Sequence, residues 1–127
     1  MKLTMTSGLL ISSLKITHKG KSKILNGMII DTGSAHTWIN LDAVEDELDI
    51  APEDGDQIVT SFGIGGRDVA NRKRVDHIQF GSFSLENFQV DFGLLDLDID
   101  GLIGLDLLTE GGFVINLAKM ELHQENG

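Results

Sequence analysis

The sequence predicts an all-β fold carrying one or two short helices. Three observations support this. Fifteen glycines against a single proline provide many turns without breaking strands. The apolar residues fall in short runs bounded by turn residues, such as Met28-Ile29-Ile30 and Ile58-Val59. The segment from Leu9 to Thr17 alternates apolar and polar residues, the pattern of a half-buried strand. At 127 residues the chain is read as a single domain, 1–127, able to bury a core of its own. Its 41% hydrophobic and 24% charged content is ordinary for a globular protein.

Composition also excludes classes of function. A net charge of −10 argues against nucleic acid as a partner. With no cysteine, the chain has no disulfide, no cysteine nucleophile and no thiolate zinc site. The N-terminus lacks the apolar core of a signal peptide: Gly8 to Ile16 is interrupted by Ser12, Ser13 and Lys15 and is far too short to span a bilayer. The expectation is a cytoplasmic protein with no membrane partner.

Taken in order, Leu9 to Thr17 and Lys23 to Asp31 form a hairpin around a turn at His18-Lys19-Gly20-Lys21, with Lys15, Lys19, Lys21 and Lys23 on its solvated side. Thr37-Trp38-Ile39 is a short strand, with Trp38 in the core. Leu41, Val44 and Leu48 sit at helical spacing among acids, giving a short amphipathic helix, and the acidic segment from Asp49 to Asp56 is a surface loop. Ile58 to Phe62 and Arg67 to Phe80 flank Gly63-Ile64-Gly65-Gly66. This is no phosphate loop, since no Gly-Lys-Ser/Thr and no helix follow; it reads as a hairpin tip. Arg67, Arg72, Lys73 and Arg74 read as a solvated hairpin face, with steering of acidic substrates as the alternative. Val75 to Phe80 pairs with Phe83 to Phe92 around Gly81-Ser82. Phe113 to Leu117 and Lys119 to His123 are the last strands. The four histidines, at 18, 36, 77 and 123, show no metal-ligand spacing and are read as structural or surface residues.

Two segments carry chemistry. The first is Asp31-Thr32-Gly33-Ser34, directly after a buried strand. A carboxylate there is costly unless it is hydrogen-bonded or has a task. Gly33 permits close approach of backbone or ligand, and Ser34 and backbone N–H groups can donate to the acid. The second is Asp96-Leu97-Asp98-Ile99-Asp100-Gly101. Its acids at positions 1, 3 and 5 and glycine at 6 match the first half of an EF-hand loop, but Leu107 stands where the bidentate glutamate belongs.

The string Asp31-Thr32-Gly33-Ser34-Ala35-His36-Thr37-Trp38-Ile39 resembles the active-site segment of aspartic proteases. Ile99-Asp100-Gly101-Leu102-Ile103-Gly104-Leu105-Asp106-Leu107-Leu108 resembles the second signature of the retropepsins. Gly63, Ile64, Gly65 and Gly66 resemble their glycine-rich flap; the pepsin-type flap uses a tyrosine, and this chain has none. Together these make a retropepsin-like resemblance over most of the chain. It implies a small closed β-barrel-like acid protease half with a flap hairpin. It further implies that Asp31 is catalytic, supported by Thr32, Gly33 and Ser34. Thr32 is then expected to join a hydrogen-bond lattice across a dimer axis, and Ser34 to hydrogen-bond Asp31, lowering the first dyad pKa. Gly101, Leu102, Ile103 and Gly104 are expected to pack on the site, with Ile30, Ile64 and Ile103 lining pockets. The sequence departs from the retroviral pattern at Ala35 and Leu105, where those enzymes commonly place an ion-paired aspartate and arginine.

One such motif supplies one aspartate, whereas peptide hydrolysis by this chemistry uses two. The implied protein is therefore a two-fold homodimer with an Asp31/Asp31′ dyad, acting as an endopeptidase on a peptide or protein substrate without metal or organic cofactor. Two other readings stand beside it: a catalytically silent dimeric peptide-binding module of the same fold, and a calcium-binding protein using Asp96, Asp98 and Asp100. Met1 to Ser7 and Gln124 to Gly127 carry no pattern that assigns them to an interfacial sheet.

Overall fold

The computed structural model describes residues 1–63 and 66–125; Ile64 and Gly65 of the expected flap lie outside the described residues, as do the side chains of 61–63, 66 and 67. The described residues form ten strands: β1 (Thr4–Thr6), β2 (Leu9–His18), β3 (Lys21–Ile30), β4 (Trp38–Asn40), β5 (Gln57–Gly63), β6 (Gly66–Phe80), β7 (Phe83–Gly93), β8 (Gly101–Ile103), β9 (Phe113–Asn116) and β10 (Glu121–Gln124). The helices are α1 (Glu45–Leu48) and α2 (Leu105–Glu110), with a 3₁₀ turn at Leu41–Ala43. Among the described residues no helix is long and apolar enough to cross a membrane.

Eight strands form one sheet in the order β1-β2-β3-β8-β4-β7-β6-β5. A further pairing of β2 with β6 closes six of them into a ring. β2 manages this by sharing one edge: Leu9 to Ile11 pairs with β1, and Lys15 to Thr17 with β6. The alternation seen in the sequence explains how. Leu14 and Ile16 point into the barrel and are fully buried, while Ser13 and Lys15 face out. The β2–β3 hairpin turns at Lys19 and Gly20, both at positive φ, as a two-residue turn between twisted strands requires.

Met28, Ile29 and Ile30 are buried because β3 is interior to the sheet here. It lies between β2 and the parallel strand β8, with Met28 opposite Gly101 and Ile30 opposite Ile103. The core gathers Leu14, Ile16, Leu25, Met28, Ile39, Ile78, Phe80, Phe92, Ile103 and Leu107. Each such side chain contributes about 1.5–3 kcal/mol by leaving water. Trp38 belongs to this core, as expected, and its indole N–H donates to the Gly93 carbonyl at 3.3 Å.

Three features differ from the sequence reading. The helix expected over Leu41 to Leu48 is divided: Asn40 caps the 3₁₀ turn by accepting from Asp42 N–H, and Val44 adopts a non-helical backbone between the two pieces. Leu41, Val44 and Leu48 are nevertheless all buried. The N-terminal residues, without a strand pattern, form β1 and clasp the last strand. The Met1 ammonium donates to Leu122 O at 2.7 Å, and Leu3 N–H donates to Met120 O at 2.9 Å. Nor are Arg72 and Lys73 on a solvated face. Arg72 makes a two-point ion pair with the buried Asp91, and Lys73 bonds Glu53 and Asp56, strapping the acidic loop onto β6. Arg74 donates to the Asn87 carbonyl.

Candidate active site

β3 ends at Ile30 and delivers Asp31 at the mouth of the barrel. Asp31 N–H donates to Ile103 O at 2.9 Å, extending the β3–β8 ladder by one residue and fixing where the turn begins. The carboxylate of Asp31 then accepts from Gly33 N–H at 3.0 Å, and Ser34 N–H donates to the Asp31 carbonyl at 3.1 Å. Gly33 matters sterically, since a Cβ there would sit 3.2 Å from the Asp31 carboxylate oxygen. Among the described residues the carboxylate has no other hydrogen bond and no ion pair, and it is half-buried. It is thus oriented by the backbone and left with free lone pairs.

The turn is held from behind by α2. Leu105 N–H donates to Ser34 O at 2.8 Å and Asp106 N–H to Ala35 O at 3.2 Å, so the first turn of the helix satisfies its own orphan donors on the loop carbonyls. The Asp106 carboxylate accepts from Thr37 Oγ1 at 2.7 Å and from Thr37 N–H at 3.0 Å, while Thr37 Oγ1 accepts from Gly104 N–H at 3.2 Å. Gly104 is required here: a Cβ would meet the His36 carbonyl carbon at 2.5 Å and its oxygen at 2.6 Å. His36 Nδ1 lies 3.9 Å from the Asp106 carboxylate and half in solvent.

The structure therefore brings together Asp31, Thr32, Gly33 and Ser34 with Gly101, Leu102, Ile103 and Gly104, through β3–β8 pairing and the Gly104–Thr37–Asp106 bonds. Two details differ from expectation. The Ser34 hydroxyl donates to the His36 carbonyl at 2.8 Å, tightening the turn, rather than to the Asp31 carboxylate. Ile103, expected to line a pocket, is fully buried in the core. Of the expected flap, Gly63 and Gly66 close the β5–β6 hairpin as a directly opposed pair, and Ile64 and Gly65 lie outside the described residues.

Sequence reasoning passed over Thr37 as a strand residue, although a threonine fully removed from water needs a hydroxyl partner. It also missed the Arg72–Asp91 pair. Its bonds measure 2.7 and 3.1 Å, and it forms one wall of a cleft of about 280 Å³ beside Gly33, Ser34, His36, Trp38 and Thr60. The hydrogen bonds that Arg72 donates to the Asp91 carboxylate hold its guanidinium above its usual range, against the effect of burial. The signal for this pair was an acid inside the apolar run Phe88 to Phe92.

The calcium reading is not met. The Asp100 carboxylate is turned into the sheet, accepting from Gly27 N–H at 2.8 Å, while Asp100 N–H donates to Gly27 O and Asn40 N–H to Asp100 O. It ties β3 to β4 instead of facing Asp96 and Asp98. Among the described residues no group of three or more His, Asp or Glu side chains is placed to hold a metal ion.

A closed sheet that presents one carboxylate from an Asp-Thr-Gly turn, braced by a Gly–helix segment, has the form of an acid protease domain. The comparison with known families agrees: the profile of the aspartyl proteases matches residues 14–107, most of the chain, and the protein belongs to that family. No curated protein gives a significant match.

Proposed function

We propose that this chain is a retropepsin-like aspartic endopeptidase that works as a homodimer, with Asp31 from each copy forming the catalytic dyad. The observation that supports this most is the state of Asp31: ordered by Gly33 N–H, half-open to solvent, and, among the described residues, without an acidic or basic partner. Two such carboxylates brought into contact share one proton, because like charges at that distance resist joint ionisation.

The chemistry then balances without a further group. The ionised aspartate takes a proton from water as the water oxygen bonds to the scissile carbonyl carbon. The protonated aspartate gives its proton to the carbonyl oxygen. Collapse of the tetrahedral intermediate breaks the C–N bond, a proton passes to the leaving amine, and a carboxylic acid is released. The dyad again holds one proton. In this reading Thr32 contributes the hydrogen bonds that cross the two-fold axis beneath the dyad. The β5–β6 hairpin, with Gly63 and Gly66 at its end, covers the bound peptide as a flap.

A peptide carrying a tetrahedral hydroxyl-bearing carbon in place of the scissile carbonyl tests this reading, since it mimics the intermediate. The expected result is tight binding to the protein and binding at least about 100-fold weaker to Asp31→Asn. Equal affinity for both would refute the dyad.

A further inference from the structure

The Arg72–Asp91 pair stands on the same face of the sheet as the Asp31 carboxylate. Residues directly opposite one another on paired strands share a face. Arg72 is opposite Asp91, Asp91 opposite Trp38, Trp38 opposite Leu102, and Leu102 opposite Ile29. Asp31 lies two residues beyond Ile29, still in the ladder through its bond to Ile103, and so points to the same side. The cleft of about 280 Å³ between this row and the active-site turn is of a size for one amino-acid side chain, since clefts for drug-sized ligands run to about 300–1,000 Å³.

The charged and polar side chains on this cleft offer donors. Arg72 carries five N–H groups, and Asp91 accepts from two of them. The other three have no partner among the described residues, and the Arg72 side chain keeps 17% of its surface open. His36 is half exposed and carries at least one ring N–H in either protonation state. Thr60 adds a hydroxyl, while Trp38 and Val59 supply apolar wall. Acceptors are scarce. Among the described residues Asp91 is the one carboxylate on the lining, and Arg72 holds both of its oxygens. Asp106, near His36, is not on the lining and already accepts from Thr37 and from Leu107 N–H. An aspartate or glutamate side chain is acceptor-only and matches these donors with charge-assisted bonds. A lysine ammonium is donor-only and would face a guanidinium with no acceptor left for it. The net charge of −10 opposes an acidic ligand at long range, but at physiological ionic strength that repulsion is screened beyond about 8 Å.

We propose that this cleft selects an acidic side chain of the substrate: the protein cuts peptides that seat an aspartate or glutamate between His36 and Arg72, beside the active-site turn. The cut itself rests on the dyad reading above. The two-fold axis of that reading repeats the cleft, so the preference recurs once on each side of the scissile bond.

The test is a set of peptides identical except at one residue, which is set to Glu, Gln, Leu or Lys at each position around the scissile bond in turn. At one position on each side, kcat/KM should be about 10-fold higher for Glu than for Gln and about 100-fold higher than for Lys. His36→Phe should lower the Glu-to-Lys ratio, and so should Arg72→Gln combined with Asp91→Asn, a double change that strands no buried charge. A ratio of two peptides cut by one preparation does not depend on how much of the variant is folded. Wild-type protein that cuts Glu and Lys peptides equally at every position overturns the proposal, and so does a ratio that neither variant changes. The cleft is also read apart from catalysis, by binding of the same peptides to Asp31→Asn, where the ranking Glu, Gln, Lys should persist. That ranking in binding, with no cleavage by wild type or with equal cleavage by Asp31→Asn, overturns the dyad reading and leaves the cleft standing. Cleavage that vanishes in Asp31→Asn but shows no side-chain preference overturns the cleft and leaves the dyad standing.

Discussion

Thr37→Val tests the support behind Asp31 most sharply. The two side chains have nearly the same shape, and Thr37 is 0% exposed, so packing changes little. What is lost is the hydroxyl. Its bond to the Asp106 carboxylate, at 2.7 Å, is charge-assisted, and such bonds contribute about 1.5–3 kcal/mol. Its second bond, from Gly104 N–H at 3.2 Å, is the only one that donor makes among the described residues. Leaving a buried N–H unsatisfied costs about 1–3 kcal/mol. Asp106 keeps Thr37 N–H and Leu107 N–H, which limits the loss on that side. The expected total is about 3–4 kcal/mol, a large part of the roughly 5–15 kcal/mol by which domains are stable. Urea unfolding at constant m reads it directly. Thr37→Ser is the control: it retains the hydroxyl and gives up one methyl, at about 1 kcal/mol. A Thr37→Val loss below about 1 kcal/mol, or equal losses for Val and Ser, would show that the Asp106–Thr37–Gly104 network does not hold the loop.

Three further outcomes follow from the ion pairs and the turn. Asp91→Ala should destabilise by about 3–5 kcal/mol, because it strands the mostly buried Arg72, whereas replacing both residues with leucine should cost less than either single loss; a double-mutant cycle in urea checks this. Asp56 is held below the usual carboxylate range: burial opposes this, but the hydrogen bond from Lys73 and the Glu53 N–H outweigh it. That contribution is present above the unfolded pKa near 3.8 and is lost as pH falls through the lower folded value; on the basic side, Lys73 is raised above 10.5 despite its burial, so its share persists below that pH and fades as pH rises through the folded value. Melting curves of Lys73→Met should lose both limbs. Finally, Ser34→Ala should cost about 1 kcal/mol and leave the acid limb of the pH–rate profile unmoved, since its hydroxyl serves the His36 carbonyl; an acid limb displaced by a full pH unit would contradict this.

The parts of the fold legible in the sequence were those written in short-range pattern. The alternation of Leu14 and Ile16 with Ser13 and Lys15 located β2, and the apolar run ending at Asp31 marked the buried end of β3 and the candidate site that follows it. The Gly-rich and Gly–helix segments gave the remaining outline. What the pattern could not give was partnership across the sheet. Arg72 and Lys73 looked like one basic patch because sequence carries no register; in the sheet Arg72 stands opposite Asp91, and Lys73 opposite Val90, so each is drawn to a different acid. Asp100 looked like one of three calcium ligands until β3 and β8 paired beside it and gave it Gly27 N–H. β1 was invisible because Thr4, Met5 and Thr6 are all exposed and leave no core-facing alternation.

The central claim, that catalysis needs Asp31 from two copies, is tested most directly by mixing wild-type and Asp31→Asn chains in equal amounts after dissociation and measuring peptide cleavage. If two intact copies are required and association is random, about a quarter of the activity of the same total amount of wild-type chain should remain. Activity per chain should also fall on dilution through the dimer dissociation range. Half the activity in the mixture, with a rate strictly proportional to concentration, would mean that each chain works alone and would contradict the account.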